Sequence, residues 1–463
     1  MVSLYFTLVN VFWIYLLPVA ILVTLACLLR TELVFFLTVF IVPFSINFEQ
    51  TPMGIGVNVP TEPVTFGLML ILFFKMIMDG GIDKKILKHP VSVLILLHLV
   101  WMIFTTFFSE LPVVSVKFTL GRICFVTVFY FYSIQLFYKA NNISKFIWLY
   151  VISLMLVIFY TIYNQALENF TELIAHSAMT PFYYDHTQYA AMIALFLPVI
   201  LAFLTGGSYS KTVKTAAFVT VTILFTGLVL SYTRAAWASC VAAFACSLIF
   251  LFRVHTTLVY AALVSFLVFM AINISSITLN LETNKEASST DLASHIQSAF
   301  NTTTDASNVE RINRWNCAIR MFKERPVLGW GVGTYQFVYG PFQLNREITY
   351  ISTNQGNRGN AHSEYLTPLS EQGLPGSLLF IAIAIATLFT ASRFIVNAKS
   401  VKLRALAIGL IVGLITYWVH GFLNNFLHTE KASIPYWAFI GAIAALRIYH
   451  QNTTDEDLAK KGF

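Results

Sequence analysis

Charge is what this chain has least of. Asp, Glu, Lys and Arg make up 11% of its 463 residues and 57% are hydrophobic, whereas an ordinary soluble domain carries about 25% charged residues. That deficit excludes a soluble globular protein and points to a polytopic membrane protein. Cysteine is sparse as well. The 5 present, Cys27, Cys124, Cys240, Cys246 and Cys317, lie mostly inside apolar runs with no pair at metal-ligand spacing, and read as packing residues. His362 has no second histidine at zinc spacing, so a zinc site is not expected. There is no Walker-type phosphate loop, no Gly-x-Ser-x-Gly elbow and no repeat pattern, and an ATP-driven pump or a membrane hydrolase therefore gains no support.

What the chain has instead is long apolar runs. Runs of about 17 to 25 residues are long enough to cross a ~30 Å hydrocarbon core as helices. They fall near 4–28, 32–48, 63–78, 91–108, 119–138, 146–166, 188–204, 213–232, 234–252, 256–277, 375–394, 403–422 and 433–449. The expected fold is all-α, a polytopic membrane protein of about 12–13 transmembrane helices with one large, partly helical outer loop. The first run has no basic n-region and no small-residue cleavage site, so it reads as a span and not as a signal peptide.

The net charge of +7 sits between the apolar runs, where it marks orientation; no nucleic-acid partner is expected. "DGGIDKKILKHP", "YKANNISK", "GGSYSKTVK", "FRVH" and "SRFIVNAKSVKLR" are basic and alternate with acidic or neutral connections such as "ENFTELIAHSAMTPFYYDH". Short cytoplasmic loops collect Lys and Arg, so the basic set is expected inside. The chain then divides into spans over 1–277, an outer loop over 278–365, further spans over 366–449 and a cytoplasmic tail over 450–463, with the N-terminus outside. A loop this long is functional or disordered more often than passive. Its first part, 281–308, is polar and reads as mobile, whereas "VERINRWNCAIRMFKERPVLGWGVGTYQF" reads as a helix stopped by Pro326 and followed by a turn at Gly329, Gly331 and Gly333.

The candidates for chemistry are polar groups out of place. At 100° per residue Arg311, Arg314, Trp315, Ala318 and Phe322 share one side of the loop helix, while Arg320 and Lys323 point away. Two guanidiniums on a packing face meet either a bound anion, which their rigid fork suits, or a loop carboxylate such as Glu310 or Glu324. Arg234 in "LVLSYTRAAWASC" interrupts two apolar runs. Burying such a charge costs about 2.5–3.5 kcal/mol, so it calls for a partner unless it snorkels to the interface. Arg122 in "FTLGRICF" is similar, a few residues into its span. Asp185, His186, Gln188 and Tyr189 stand at the outer mouth of a span, placed to read a head group or to cap a helix, and capping suits Asp185. In "RGNAHSEYLTPLSEQGLPG" a helix beginning near Asn360 sets His362 apart from Glu364 and stops at Gly373 and Pro375. His362, with its near-neutral pKa, suits proton transfer from a sugar hydroxyl. Glu371 reads as an ion-pair or capping group.

Taken together, "RINRWNCAIRMFKERPVLGWGVGTYQF", "AHSEYLTPLSEQGLPGSLLF", "LSYTRAAWAS", "YYDHTQYAAMIALFLPV" and "HGFLNNFLHTEKASIPYWAFIGAIAAL" resemble the signature of the O-antigen ligase and polymerase superfamily, from about Phe182 to Leu446. Ser363 stands where many members have Asn, and Tyr232 and Ala235 vary the small residues around the arginine. The resemblance implies a GT-C type glycosyltransferase of the bacterial inner membrane, its site facing the periplasm. It implies a polyprenyl-diphosphate-linked glycan as donor and lipid A core or another glycan as acceptor. Arg234 with Arg311 or Arg314 then holds the diphosphate, and His362 acts as base or orienting group for the acceptor. Arg122, Gln188, Tyr189 and Glu364 are further candidate substrate contacts. Arginines that stabilise the leaving diphosphate take the place of a divalent metal, so neither a metal nor another cofactor is expected. Direct displacement inverts the anomeric centre. A ligase, a polysaccharide polymerase and a protein O-oligosaccharyltransferase all fit. A transporter fits less well, because a carrier needs no large outer loop and the chain has no evident repeated halves.

Overall fold

The computed structural model describes residues 28–48, 56–78, 81–207, 209–252, 257, 258, 261, 265, 306–347, 352 and 359–460. The expected spans at 4–28 and 256–277 and the polar stretch 281–308 lie wholly or mostly outside these residues. Within them the chain is mostly helical. Two shorter apolar helices, α1 (Thr31–Phe44, its last turn 3-10) and α3 (Pro90–Thr106), accompany nine that are long and apolar enough to cross a membrane. In chain order the nine are α2 (Thr61–Met78), α4 (Pro112–Leu136, with a π-helical turn at Thr127–Tyr132), α5 (Ala140–Leu167), α6 (His186–Thr205), α7 (Lys211–Leu230), α8 (Arg234–Leu251), α10 (Leu366–Asn397), α11 (Val401–His420) and α12 (Glu430–Tyr449). Each falls on one of the apolar runs. The loop supplies α9 (Ala306–Glu324), and α13 (Asp455–Lys460) is the last described element. One element departs from the all-α expectation: β1 (Ile46–Phe48) and β2 (Val57–Val59) form an antiparallel hairpin between α1 and α2, with Ile46 opposite Val59.

The helix ends follow from local chemistry. Pro90 and Pro112 occupy first-turn positions, where a missing N–H costs nothing. Starting at Pro112, earlier than the apolar run suggests, places Arg122 nearly three turns inside α4, about 10 residues on at 3.6 per turn. Asp185, Ser210 and Ser400 each accept a backbone N–H at the start of α6, α7 and α11. α12 and α6 are the interior helices, with 83% and 78% of their apolar windows buried; α7 and α8, at 28% and 22%, keep most of their surface for lipid.

The loop is fastened to the bundle through α10. The expected helix from Asn360 does not form. Asn360 Oδ1 accepts the His362 N–H at 2.9 Å, an Asx-type turn that competes with helix, and His362 sits in the left-handed region at φ 47°. The helical stretch α10 starts instead at Leu366 and is broken at Gly373 (φ 68°), whose non-helical backbone ends a short first helix before the span that follows, as expected of the stop there. At that break Trp330 N–H donates to Ser370 O (3.1 Å), Gly331 N–H to Glu371 O (2.8 Å) and Leu374 N–H to Pro326 O (2.9 Å). The Glu371 carboxylate accepts the N–H groups of Gly333 (2.8 Å) and Tyr335 (3.1 Å). Beneath the loop Cys317, Ala318, Met321, Trp330, Tyr335, Tyr339 and Ala361 form a small core of their own.

Two glycines are required by this docking. A Cβ at Gly373 would lie 2.1 Å from the Val327 carbonyl oxygen, and one at Gly331 (φ 109°) would lie 2.0 Å from Ser109 Oγ. Gly331→Ala should therefore destabilise the loop's attachment by at least about 1 kcal/mol. The expected outcome is a lower melting temperature in detergent and faster proteolysis within 306–347. Gly67→Ala, whose Cβ would meet nothing within 4 Å, should leave both unchanged.

Candidate active site

Six segments meet at one end of the bundle. Thr233, just before α8, donates its hydroxyl to the His186 carbonyl at 3.3 Å, and Gln188 in α6 donates to Thr429 Oγ1 at 2.6 Å, before α12. Trp315 of α9 donates its indole N–H to the His362 carbonyl at 3.3 Å, and Glu364 N–H donates to Gly421 O at 2.7 Å, just past α11. Arg311 stands where these elements converge: its charge acts on His186, His362 and His420, which come from α6, the stretch before α10 and the end of α11. The guanidinium-bearing residue is itself half-buried. Burial, then the guanidiniums of Arg311 and Arg314, push the His362 imidazole down to about 4, against the opposing carboxylates of Asp185 and Glu310. His362 is thus a neutral imidazole at neutral pH.

The two loop arginines have different surroundings. Arg314 is 4% exposed, donates through Nε to Glu310 at 2.6 Å, and stacks on the Tyr339 ring at 4.1 Å. Tyr335 donates its hydroxyl to the Arg314 carbonyl at 2.8 Å. Burial works against the Glu310 carboxylate, but hydrogen bonds from Ser352 and Arg314 and the charge of Arg314 hold it below the usual range. Of the two partners open to these arginines, Arg314 takes the loop carboxylate. Gly359 lies against the same guanidinium, since a Cβ there would fall 1.7 Å from Nη1. Arg320, pointing the other way, is partly exposed; it pairs with Glu347 and donates to the Phe342 carbonyl, fixing the far side of α9.

Arg234 is the first residue of α8, half-buried, beside the His186 corner by virtue of the Thr233 bond. Tyr232, two residues earlier, is left-handed at φ 50°, and its hydroxyl donates to the Phe170 carbonyl at 3.3 Å. A bulky residue there costs on the order of 1–3 kcal/mol, a strain that clusters at functional sites. His362 carries the same strain on the other side of the cluster.

Other candidate contacts make bonds within the protein. Asp185 caps α6, accepting from Gln188 N–H at 2.8 Å. Gln188 is spent on the Thr429 link. Tyr189 is 1% exposed and packs on Tyr183 and against Gly227 of α7, inside the bundle. Glu364 Oε1 accepts from Tyr417 Oη (2.6 Å), Phe426 N (2.6 Å) and Leu427 N (2.9 Å), clamping the α11–α12 connection. Arg122 belongs to a separate interior group: its guanidinium lies 5.7 Å from the Trp437 ring and interacts with Glu364, Tyr436, Tyr417 and Glu371. The sequence reading passed over His176, whose ring stacks on His186 at 4.1 Å, and His420, which hydrogen-bonds Asn424. The i, i+4 spacing of His420 and Asn424 past the end of an apolar run was the available signal. Among the described residues no group of three or more His, Cys, Asp or Glu is placed to hold a metal ion.

Nine long apolar helices among the described residues, with partly buried arginines and histidines gathered at one end of the bundle under a docked loop, define a multi-pass membrane protein. Residues 218–381 match the Wzy_C family model, O-antigen ligase. This is accordingly a membrane protein with a Wzy_C O-antigen ligase domain, a domain of glycan-transferring membrane enzymes that ligases and polymerases share and that implies lipid-linked glycan substrates. The match contains Arg234, Arg311, Arg314 and His362 and ends before His420; Arg122 and the Asp185–Tyr189 corner precede it. Comparison with curated proteins gives no match to this chain.

The depressed His362 pKa has a definite sign. The folded chain binds fewer protons than the unfolded one as pH falls from about 6.5 towards about 4, so acid destabilises the loop in that window. Histidine-selective NMR, assigned with His362→Gln, should show no His362 titration near pH 6.5, and Arg311→Gln should move the titration upward. A wild-type midpoint between about pH 6 and 7 would contradict the geometry.

Proposed function

We propose that the protein is an O-antigen ligase-like glycosyltransferase that moves a glycan from undecaprenyl diphosphate to a hydroxyl of lipid A core at the periplasmic face of the bacterial inner membrane. The observation that carries the reading is the convergence on Arg311 of His186, His362 and His420, beside Arg234, within and around a matched Wzy_C domain.

Arg234 and Arg311 bind the diphosphate, for which a guanidinium offers a fork of N–H donors at permanent charge. Arg314, held by Glu310 and Tyr339, contributes its field from a fixed position. The acceptor oxygen attacks the anomeric carbon as the bond from that carbon to the diphosphate oxygen breaks. The electron pair leaves with undecaprenyl diphosphate, where preorganised arginines stabilise it in a site poor in water. The hydroxyl proton passes to the His362 imidazole and then to solvent. In the free enzyme burial, and after it the neighbouring cations, make His362 a weak base; an arriving diphosphate offsets the cations' charge and raises its basicity when the acceptor must lose its proton. With cationic side chains in the role a divalent ion would fill, transfer is metal-independent, and displacement from the opposite face inverts the anomeric centre.

Arg234→Ala and Arg311→Ala are each expected to lower transfer by at least about a hundredfold at unchanged membrane level, and a product retaining the donor's configuration would overturn direct displacement. His362→Ala should lose activity at every pH; wild-type activity would remove it from the proton path. In a deletion strain, loss of capped lipopolysaccharide with long polyprenyl-linked polymer intact identifies the ligase, whereas capping by single repeat units identifies a polymerase.

A further inference from the structure

His420 closes α11 and is 1% exposed. Asn424 Nδ2 lies 3.1 Å from its Nε2. An amide nitrogen only donates, so Nε2 is the accepting nitrogen and the single proton of a neutral imidazole sits on Nδ1. That Nδ1 is buried and has no hydrogen-bond partner among the described residues. A donor withdrawn from water without an acceptor is costly to keep, and this one stands in the fields of Arg311, Asp185 and His186. Its ring is backed by Phe426, 5.7 Å away between centroids, and its carbonyl accepts from Leu423 and Asn424 N–H, so the ring is held in place.

We infer that His420 is a substrate-binding residue whose Nδ1–H donates to an oxygen of the diphosphate held by Arg311. The inference rests on the diphosphate reading of the site and adds to it a neutral donor from the end of α11, outside the matched domain. An oxygen drawn to Arg311 is an anionic one, and an N–H bonded to it strengthens as the leaving group takes up the electron pair. Asn424 sets the tautomer that makes this possible, and acts as a positioning residue.

The test is binding of undecaprenyl diphosphate to the full chain in nanodiscs, together with turnover and melting temperature. His420→Phe keeps a ring and removes the donor, and His420→Gln moves an amide towards the Nε2 position; both should weaken carrier binding and turnover by about tenfold or more. His420→Asn, which keeps an amide N–H near the Nδ1 position, should retain most of both. Equal loss in all three variants assigns the effect to ring packing and overturns the inference. Wild-type binding in the Phe and Gln variants while Arg311→Ala binds weakly overturns it alone, whereas wild-type binding in Arg311→Ala as well overturns the diphosphate reading beneath it.

Discussion

The Glu371 carboxylate, inside the break of α10, is the contact on which the rest of the site depends. By accepting the N–H groups of Gly333 and Tyr335 it satisfies the loop's turn at the point where the loop meets the bundle. Buried backbone groups have no water to bond to, so non-helical chain is tolerated there only when protein supplies the partners. The Gly373 break presents Ser370 and Glu371 carbonyls to Trp330 and Gly331. Once that seam is closed α9 lies along α10, and Arg311 reaches the ends of α6 and α11.

A second constraint is how each arginine is held. Arg314 and Arg320 are committed to Glu310 and Glu347, and breaking a buried pair by removing one partner costs more than the pair contributes. Arg234 and Arg311 are half-buried and stand at a junction of several elements. Histidine obeys the same logic: desolvation and neighbouring cations keep His362 neutral, so its basicity depends on what negative charge is brought to it.

Much of this was legible in the amino-acid order. The apolar runs located the spans because crossing hydrocarbon demands length and continuity, properties that need no knowledge of neighbours. Asp185 was legible as a cap because capping is local. Glu371 was readable as a structural group, though not its partners. The start at Leu366 in place of Asn360 was not, because the turn at Asn360–His362 overrides the local pattern. Gln188 and Tyr189, at a span's mouth, and Glu364, beside His362, are candidate substrate contacts in the sequence, and the fold engages them with Thr429, Tyr183 and the α11–α12 connection.

By itself the sequence determined the class of protein, the positions of the spans and the set of polar residues set among apolar ones, since those follow from composition and from periodicity along a single segment. Tertiary structure decided which of those residues meet. Whether Glu364 is open or clamped, and whether His420 stands beside Arg311, depend on how segments far apart in the chain pack, whereas the Arg314–Glu310 pair is an i, i+4 contact within one helix. Charges select partners in space, and their order along the chain carries no record of that choice.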